Sequence, residues 1–307
     1  MGKTAFIFPG QGSQYVGMAK EFYDTCPISR DIFERASKTV GFSVEKLCFE
    51  DNEKLHQTRY TQPCLLTASY AITKAVEEKG YRADMTAGLS LGEYNGLLCA
   101  GAMEFEDALS LVCQRGIFME EAVPAGEGAM AAVISKKKIP LEEICRETGG
   151  KVTVANYNCP GQQVISGEKE TVMALADRIL AEGAARVVPL RVSGPFHSPM
   201  LMEAGEKLRE VLKRTKIKPP VIPFVSNVTA SKVQEPEEIR ELLAKQVSSS
   251  VLWQQSVEYM LEQGVTTFVE IGPGKTLSGF VRKINKEAKV FHIEKCSDLE
   301  QLPKCLG

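Results

Sequence analysis

Histidine and tryptophan are scarce in this 307-residue chain, at 3 His and a single Trp, and net charge is almost absent: 37 Lys+Arg stand against 39 Asp+Glu, a formal charge of −2. Without a global field the chain has no long-range means of collecting nucleic acid or an anionic membrane, so an anionic ligand has to be met by a local site. There is no apolar run of about 18 residues or more, which argues against a membrane-spanning helix. The apolar part of the N-terminus runs only from Ala5 to Phe8 before Pro9, too short for the core of a signal peptide. Nine cysteines are scattered with no C-x-x-C pair, so neither a zinc site nor a disulfide framework is expected. A chain kept in a reducing cytoplasm, with no metal and no cofactor, is the expectation. The shortage of histidine is useful in itself: a general base of imidazole type has to be His56, His197 or His292.

What is present reads as alternating strand and helix. Thr4 to Phe8 is a buried strand delivering Pro9-Gly10-Gln11-Gly12 to a helix. A helix is expected from Pro63 to Lys79, where Leu65, Leu66, Ala68, Ile72, Ala75 and Val76 recur at helical spacing. Met85 to Leu89 reads as a strand, Leu91 opens another helix, and a third helix spans Phe105 to Ala122. From Ala129 to Arg191 the order becomes strand (Met130–Ile134), helix (Pro140–Glu147), strand (Val152–Asn156), strand (Gln163–Ser166), helix (Thr171–Glu182) and strand (Arg186–Leu190), the β-α-β-β-α-β order of a ferredoxin-like unit. More α/β pattern follows: a helix near Met202–Lys213, a strand near Val221–Ser226, helices at Ile239–Lys245 and Val257–Gln263, and a strand at Thr267–Ile271. The fold expected is an α/β-hydrolase-like core of residues 1–124 and 196–307, interrupted by a small ferredoxin-like domain of residues 125–195. Pro- and Gly-bearing hinges fall near Ala122–Gly128 and Ser193–Pro199.

Gly88-Leu89-Ser90-Leu91-Gly92 matches G-x-S-x-G between a strand and a helix, the context of a nucleophile elbow, where glycines permit a sharp turn that lifts the serine hydroxyl at a helix start. An ordinary strand-to-helix turn with a serine cap would look similar. A serine hydroxyl needs a base. His197 lies in the turn-rich segment Ser193–Pro199, from which an imidazole can be aimed into a cleft; His292 falls in a late strand and His56 among surface polar residues, so His197 is the candidate. No aspartate or glutamate between Ser90 and His197 follows a strand in hydrolase order, which suggests a Ser/His dyad oriented by something other than a carboxylate. Arg115 stands on an apolar helix face beside Leu111, Val112, Phe118 and Met119, where it either snorkels to water, pairs with a structural Glu, or forms a bidentate fork for a ligand carboxylate. Two apparent nucleotide motifs fail: Gly10-Gln11-Gly12 lacks its third glycine, at Tyr15, and Gly274-Lys275-Thr276 lacks the first glycine of a P-loop, at Val269.

Six ordered segments resemble the malonyl-CoA:acyl carrier protein transacylase family: Phe8 to Gln14 (FPGQGSQ), Gly88 to Tyr94 (GLSLGEY), Gln114 to Gly116 (QRG), Val154 to Gly161 (VANYNCPG), Gly194 to His197 (GPFH) and Glu270 to Gly274 (EIGPG). The resemblance implies an acyltransferase that carries malonyl from malonyl-CoA to the phosphopantetheine thiol of acyl carrier protein in fatty-acid synthesis. Ser90 would be the nucleophile, His197 the base, and Gln246 the residue whose main-chain carbonyl orients that base. Gln11 and Leu91 would supply oxyanion-hole amides, and Arg115, Met119 and Phe196 would contact the substrate, with Arg115 on the malonyl carboxylate and Phe196 filling the space a 2-methyl group would need. The sequence departs from the common pattern at Leu89, where a His usually precedes the serine. The rivals are an acyltransferase serving a polyketide synthase and a serine thioesterase or other hydrolase. Lys207–Lys218 holds six basic residues against Glu210, and is either a docking patch for the acidic carrier or a solvated helix face.

Overall fold

The computed structural model describes residues 2–124, 126–190, 192 and 194–302. Of the expected hinge segments, Ala125 and Ser193 lie outside the described residues, as does Cys305. Among the described residues ten strands form two sheets: β1 (Lys3–Phe8), β2 (Met85–Gly88), β3 (Gly128–Ile134), β4 (Val152–Cys159), β5 (Gln162–Glu168), β6 (Arg186–Pro189), β7 (Phe224–Val225), β8 (Lys232–Val233), β9 (Val265–Ile271) and β10 (Lys289–Ile293). The larger sheet has the order β10-β9-β1-β2-β7-β8 and is parallel except for the β7–β8 pair. Parallel strands covered on both faces need continuous apolar runs, and β1 supplies one: Ala5, Phe6, Ile7 and Phe8 are all buried.

The register of β1 on β2 decides where function can sit. Phe8 pairs with Gly88, so the loop Pro9–Gly12 and the turn at Ser90 leave the sheet side by side at its C-terminal edge, the edge where open α/β sheets hold their ligands.

The smaller sheet is antiparallel, in the order β4-β5-β3-β6. Alternation along its strands gives it two distinct faces. Ala131, Val133 and Ile165 pack with Ile144, Val172 and Ile179 of the helices Leu141–Arg146 and Lys169–Ala181. Met130, Ala132 and Val164 point the other way, into the main core and the cleft described below. The smaller sheet is anchored to the segment that precedes the helix Trp253–Glu262, where Val251 N–H donates to Ala155 O at 2.8 Å and Tyr157 N–H donates to Val251 O at 2.9 Å.

Several sequence expectations shift. The helix expected from Pro63 runs instead over Thr58–Glu78, with Pro63 inside it. Pro63 falls in the second turn, where it leaves the Arg59 carbonyl without its helical donor, and the first turn is held from outside by Glu120, which accepts from the main-chain N–H and the guanidinium of Arg59. The strand expected over Val221–Ser226 shrinks to β7: the Val221 N–H donates outside the ladder to Ala100 O, and Pro223 has no N–H to give a ladder flanked by β2 and β8. In place of the one helix expected after the Pro9–Gly12 turn, three helices follow, Lys20–Thr25, Pro27–Val40 and Val44–Phe49, and build a layer around Phe22, Ile32, Phe33 and Cys48. Among the described residues no helix is long and apolar enough to cross a membrane.

Candidate active site

Ser90 stands at the tight turn between β2 and the helix Gly92–Cys99, with φ 54°, a left-handed conformation that a non-glycine residue adopts only when its surroundings impose it. Glycine is needed on both sides. A Cβ on Gly88 would meet the Gly92 carbonyl carbon at 1.9 Å, and one on Gly92 would meet Phe8 O at 2.2 Å. Backbone atoms cannot yield as a flexible side chain can, so Gly92→Ala should lower stability by about 1–3 kcal/mol or more, read as a fall in the unfolding midpoint; an unchanged midpoint would contradict this account of the turn. Asn227, two residues beyond β7, clamps the turn: its Oδ1 accepts the Ser90 N–H at 2.7 Å and its Nδ2 donates to Gly88 O at 2.7 Å.

The Ser90 hydroxyl lies 2.7 Å from His197 Nε2, and His197 Nδ1 lies 2.8 Å from the main-chain oxygen of Gln246. A carbonyl can only accept, so Nδ1 carries the proton, and Nε2 offers its lone pair to the Ser90 O–H. A main-chain carbonyl thus holds the tautomer that a carboxylate holds in a Ser-His-Asp site. His197 has φ 58°, a second strained residue at the same place.

Burial, and after it the Arg115 charge, pushes the His197 imidazole down to about 4. His197 is therefore neutral and ready to accept a proton at any ordinary pH. The expected profile for acylation is flat over about pH 5 to 8 as far as this group is concerned, with a decline of about tenfold per unit below pH 4. The sign for stability follows: the unfolded chain binds this proton more readily, so the contribution is complete above 6.5 and is lost as pH falls from 6.5 toward 4. A single-turnover acylation rate measured against pH checks the first expectation, and a limb near 6.5 assignable to His197 would contradict it.

Arg115, on the helix Phe105–Glu121, is 1% exposed. Its Nη1 donates to Gln62 Oε1 at 2.8 Å; its Nη2 donates to Gln246 Oε1 at 2.9 Å and to Ser90 Oγ at 3.1 Å. Gln62 is turned correctly because its Nε2 donates to Met119 Sδ at 3.4 Å. The guanidinium also lies 5.7 Å from the Tyr94 ring centroid. Its Nε–H has no hydrogen-bond partner among the described residues. A buried cation with an unused donor is an unusual structural element and a ready receptor for an anion. Burial opposes the charge on Arg115. The nearby Glu93 is also buried: burial pushes its carboxyl up to about 8, against the N–H donors of Asn227 and Gln246 and the Arg115 charge.

These groups open on a cleft of about 410 Å³ between the two sheets, lined on one side by Gln11, Ser90, Arg115 and His197 and on the other by Met130, Asn156, Asn158 and Val164. An activated hydroxyl, a neutral base and a buried guanidinium meet in one space, an arrangement suited to acyl transfer from an acid-bearing ester or thioester.

A family model described as an acyl transferase domain matches residues 5–302. The malonyl CoA-acyl carrier protein transacylase of Bacillus subtilis is 45% identical over 98% of this chain and 96% of its own. The chain belongs to that transacylase family. Among solved structures, an MCAT from Streptococcus pneumoniae superposes with a TM-score of 0.93 at 45% identity, over 98% of this chain and 100% of that one. A malonyl-transacylase solved in complex with its type II PKS acyl-carrier protein superposes at 0.94 with 39% identity, over 97% of this chain and 98% of that one.

The family's expected site residues can now be located. Ser90, His197, Gln246 and Arg115 form one connected network. Met119 and Phe196 line the cleft beside Arg115 and His197. Gln11 sits in the β1 loop, its side chain donating to Thr58 Oγ1 at 3.0 Å, and Leu91 directly precedes the helix Gly92–Cys99. His56 is exposed on a short 3₁₀ turn, and His292 lies in β10 paired with Glu270 in register, both away from the cleft lining. The apparent P-loop remnant near Gly274 has its own explanation: the N–H groups of Leu277 and Ser278 that open the helix Thr276–Ile284 donate to Glu270, at 3.1 and 2.7 Å, so a carboxylate of the chain itself occupies that helix start. Within the basic run Lys207–Lys218, Lys207 meets Glu203, Arg209 meets Glu206 and Glu241, Lys213 meets Glu210 and Lys218 meets Glu104, while Arg214 and Lys216 are exposed.

Asn227, Gln62 and Glu93 were not singled out in the sequence. Glu93 lies within the GLSLGEY segment as a charged residue entering an apolar helix, the one signal that could have marked it.

Proposed function

We propose that the chain moves malonyl from malonyl-CoA to the phosphopantetheine thiol of acyl carrier protein by a two-step transfer through Ser90. His197 Nε2 takes the Ser90 proton as Oγ attacks the thioester carbonyl, general-base assistance worth typically about 10²–10⁴-fold. The N–H groups of Gln11 and Leu91 receive the developing oxyanion; in other enzymes one such donor is worth roughly 2.7–4 kcal/mol. The C–S bond breaks, the coenzyme A sulfur takes the proton from His197, and Ser90 holds malonate as an ester. In the second half the carrier thiol gives its proton to His197, attacks the ester, and Ser90 regains its hydrogen. The single observation that carries the reading is Arg115, buried beside Ser90 with its Nε–H unused: a malonyl carboxylate that takes this N–H, and replaces the Ser90 hydroxyl on Nη2, would complete a fork on one edge of the guanidinium. Met119 and Phe196 close the rest of the acyl pocket, and the scheme calls on no metal or cofactor.

The segment 125–195 is read as a ferredoxin-like insertion into a core made of residues 1–124 and 196–307, on the strength of its βαββαβ element order and the strand order β4-β5-β3-β6. The two sheets would then be the two walls of the active-site cleft. A cytoplasmic site of action accords with the eight cysteines among the described residues, which are all free thiols.

The test is a steady-state assay with malonyl-CoA and holo-carrier protein in which malonyl-carrier and free malonate are both quantified. Product appearing on the carrier supports the transferase; free malonate as the main product, with or without carrier, would make the protein a hydrolase. Running the assay with a fatty-acid carrier and a polyketide carrier separates the two pathways.

A further inference from the structure

Glu93 takes no part in the transfer as written, yet it is 1% exposed in the first turn of the helix Gly92–Cys99. A carboxyl at such depth is costly unless its bonds serve something. One oxygen accepts the Asn227 N–H and the other accepts the side-chain N–H of Gln246. Both partners hold reacting groups. Asn227 clamps the Ser90 N–H. Gln246 donates a second time, from Nε2 to Ser90 O at 2.9 Å, and receives the Arg115 Nη2 on Oε1.

A primary amide has a donor end and an acceptor end, and nothing in its shape says which way round it lies. Glu93 accepts here, so Gln246 presents its NH₂ group to it and its Oε1 is left for Arg115. Reversed, the amide would aim two donors at the guanidinium. We infer that Glu93 is a positioning residue that, through the Gln246 side chain, orients the Arg115 fork and so sets the preference of the site for malonyl over acetyl thioesters, an inference that rests on the assignment of Arg115 to the malonyl carboxylate.

Two substitutions separate this from a role in packing. Glu93→Gln keeps the shape but replaces one carboxyl oxygen with an NH₂ group; Glu93→Asp keeps both carboxyl oxygens and loses length. The ratio of kcat/KM for malonyl-CoA to that for acetyl-CoA is the readout, since damage to the fold or to the Ser90 turn would lower both thioesters together. Glu93→Gln should lower that ratio about tenfold, the scale of one unmade buried hydrogen bond. Glu93→Asp should retain more of the preference than Glu93→Gln, and adding Glu93→Gln to Arg115→Ala should leave the ratio where Arg115→Ala put it. Gln246→Met, which preserves the main-chain carbonyl used by His197, interrupts the same relay at its middle and should give a comparable loss, so the test does not depend on a single variant folding. An unchanged ratio in both Glu93→Gln and Gln246→Met, or a Glu93→Gln enzyme more selective than Glu93→Asp, would overturn the inference. If Arg115→Ala itself kept the malonyl preference, the assignment of Arg115 would be what fails.

Discussion

Replacing Ser90 with alanine is expected to abolish the malonyl adduct and lower transfer by roughly 10⁴-fold or more, the scale on which covalent nucleophiles act in other hydrolytic and transfer enzymes. The structure makes this a clean deletion. The hydroxyl oxygen holds two contacts, to His197 Nε2 at 2.7 Å and Arg115 Nη2 at 3.1 Å, and both partners keep their other bonds, to the Gln246 main-chain carbonyl and to the side chains of Gln62 and Gln246. The main-chain clamp to Asn227 does not involve the side chain. Folding should therefore be nearly unaffected, and intact-protein mass after mixing with malonyl-CoA should show only the unmodified chain. An adduct that persists would move the nucleophile elsewhere.

Arg115→Ala should produce the second large effect, a fall of roughly 10²-fold in kcat/KM for malonyl-CoA with a smaller change for acetyl-CoA, in line with about 2–5 kcal/mol for truncating one partner of a buried charge pair. The ground is depth: a guanidinium this far from water attracts a carboxylate through a medium that screens poorly. Part of the loss will be structural, because Gln62 Oε1 and Gln246 Oε1 lose their donor. The ratio of the two substrates removes that shared part. An unaltered ratio would detach Arg115 from the malonyl carboxylate. Arg115→Lys is expected to recover little, since a point charge on a flexible stem replaces a fork whose geometry the carboxylate matches.

The parts of the site legible in the sequence are those that chemistry confines to a short segment. Ser90 is marked by the two glycines its turn requires, and His197 by the shortage of alternatives. Gln246 is different: its contact with His197 uses the main-chain carbonyl, which every residue has, so no side-chain signal exists and only resemblance to a family could suggest it. Gln62, Asn227 and Glu93 join the site over separations such as the 137 residues between Ser90 and Asn227, through packing that local pattern does not encode. At Lys207–Lys218 a count along the chain overstates the free positive charge, because acids one helical turn away and, from distant segments, Glu104 and Glu241 meet four of the six basic residues in space. In the fold, the long β-α alternation was readable because buried parallel strands are compact apolar runs. Helix Pro27–Val40 was missed although Pro27 opens it and Gly41, at φ 76°, closes it.

The most direct test of the transfer is a chase. Enzyme is acylated with malonyl-CoA, freed of excess thioester, digested in part to locate the added mass, and the remainder is mixed with holo-carrier protein. The account predicts the malonyl mass on the peptide that contains Ser90 and its quantitative reappearance on the carrier within a single turnover. A label on any other peptide, or its release as free malonate while the carrier stays unmodified, would contradict it.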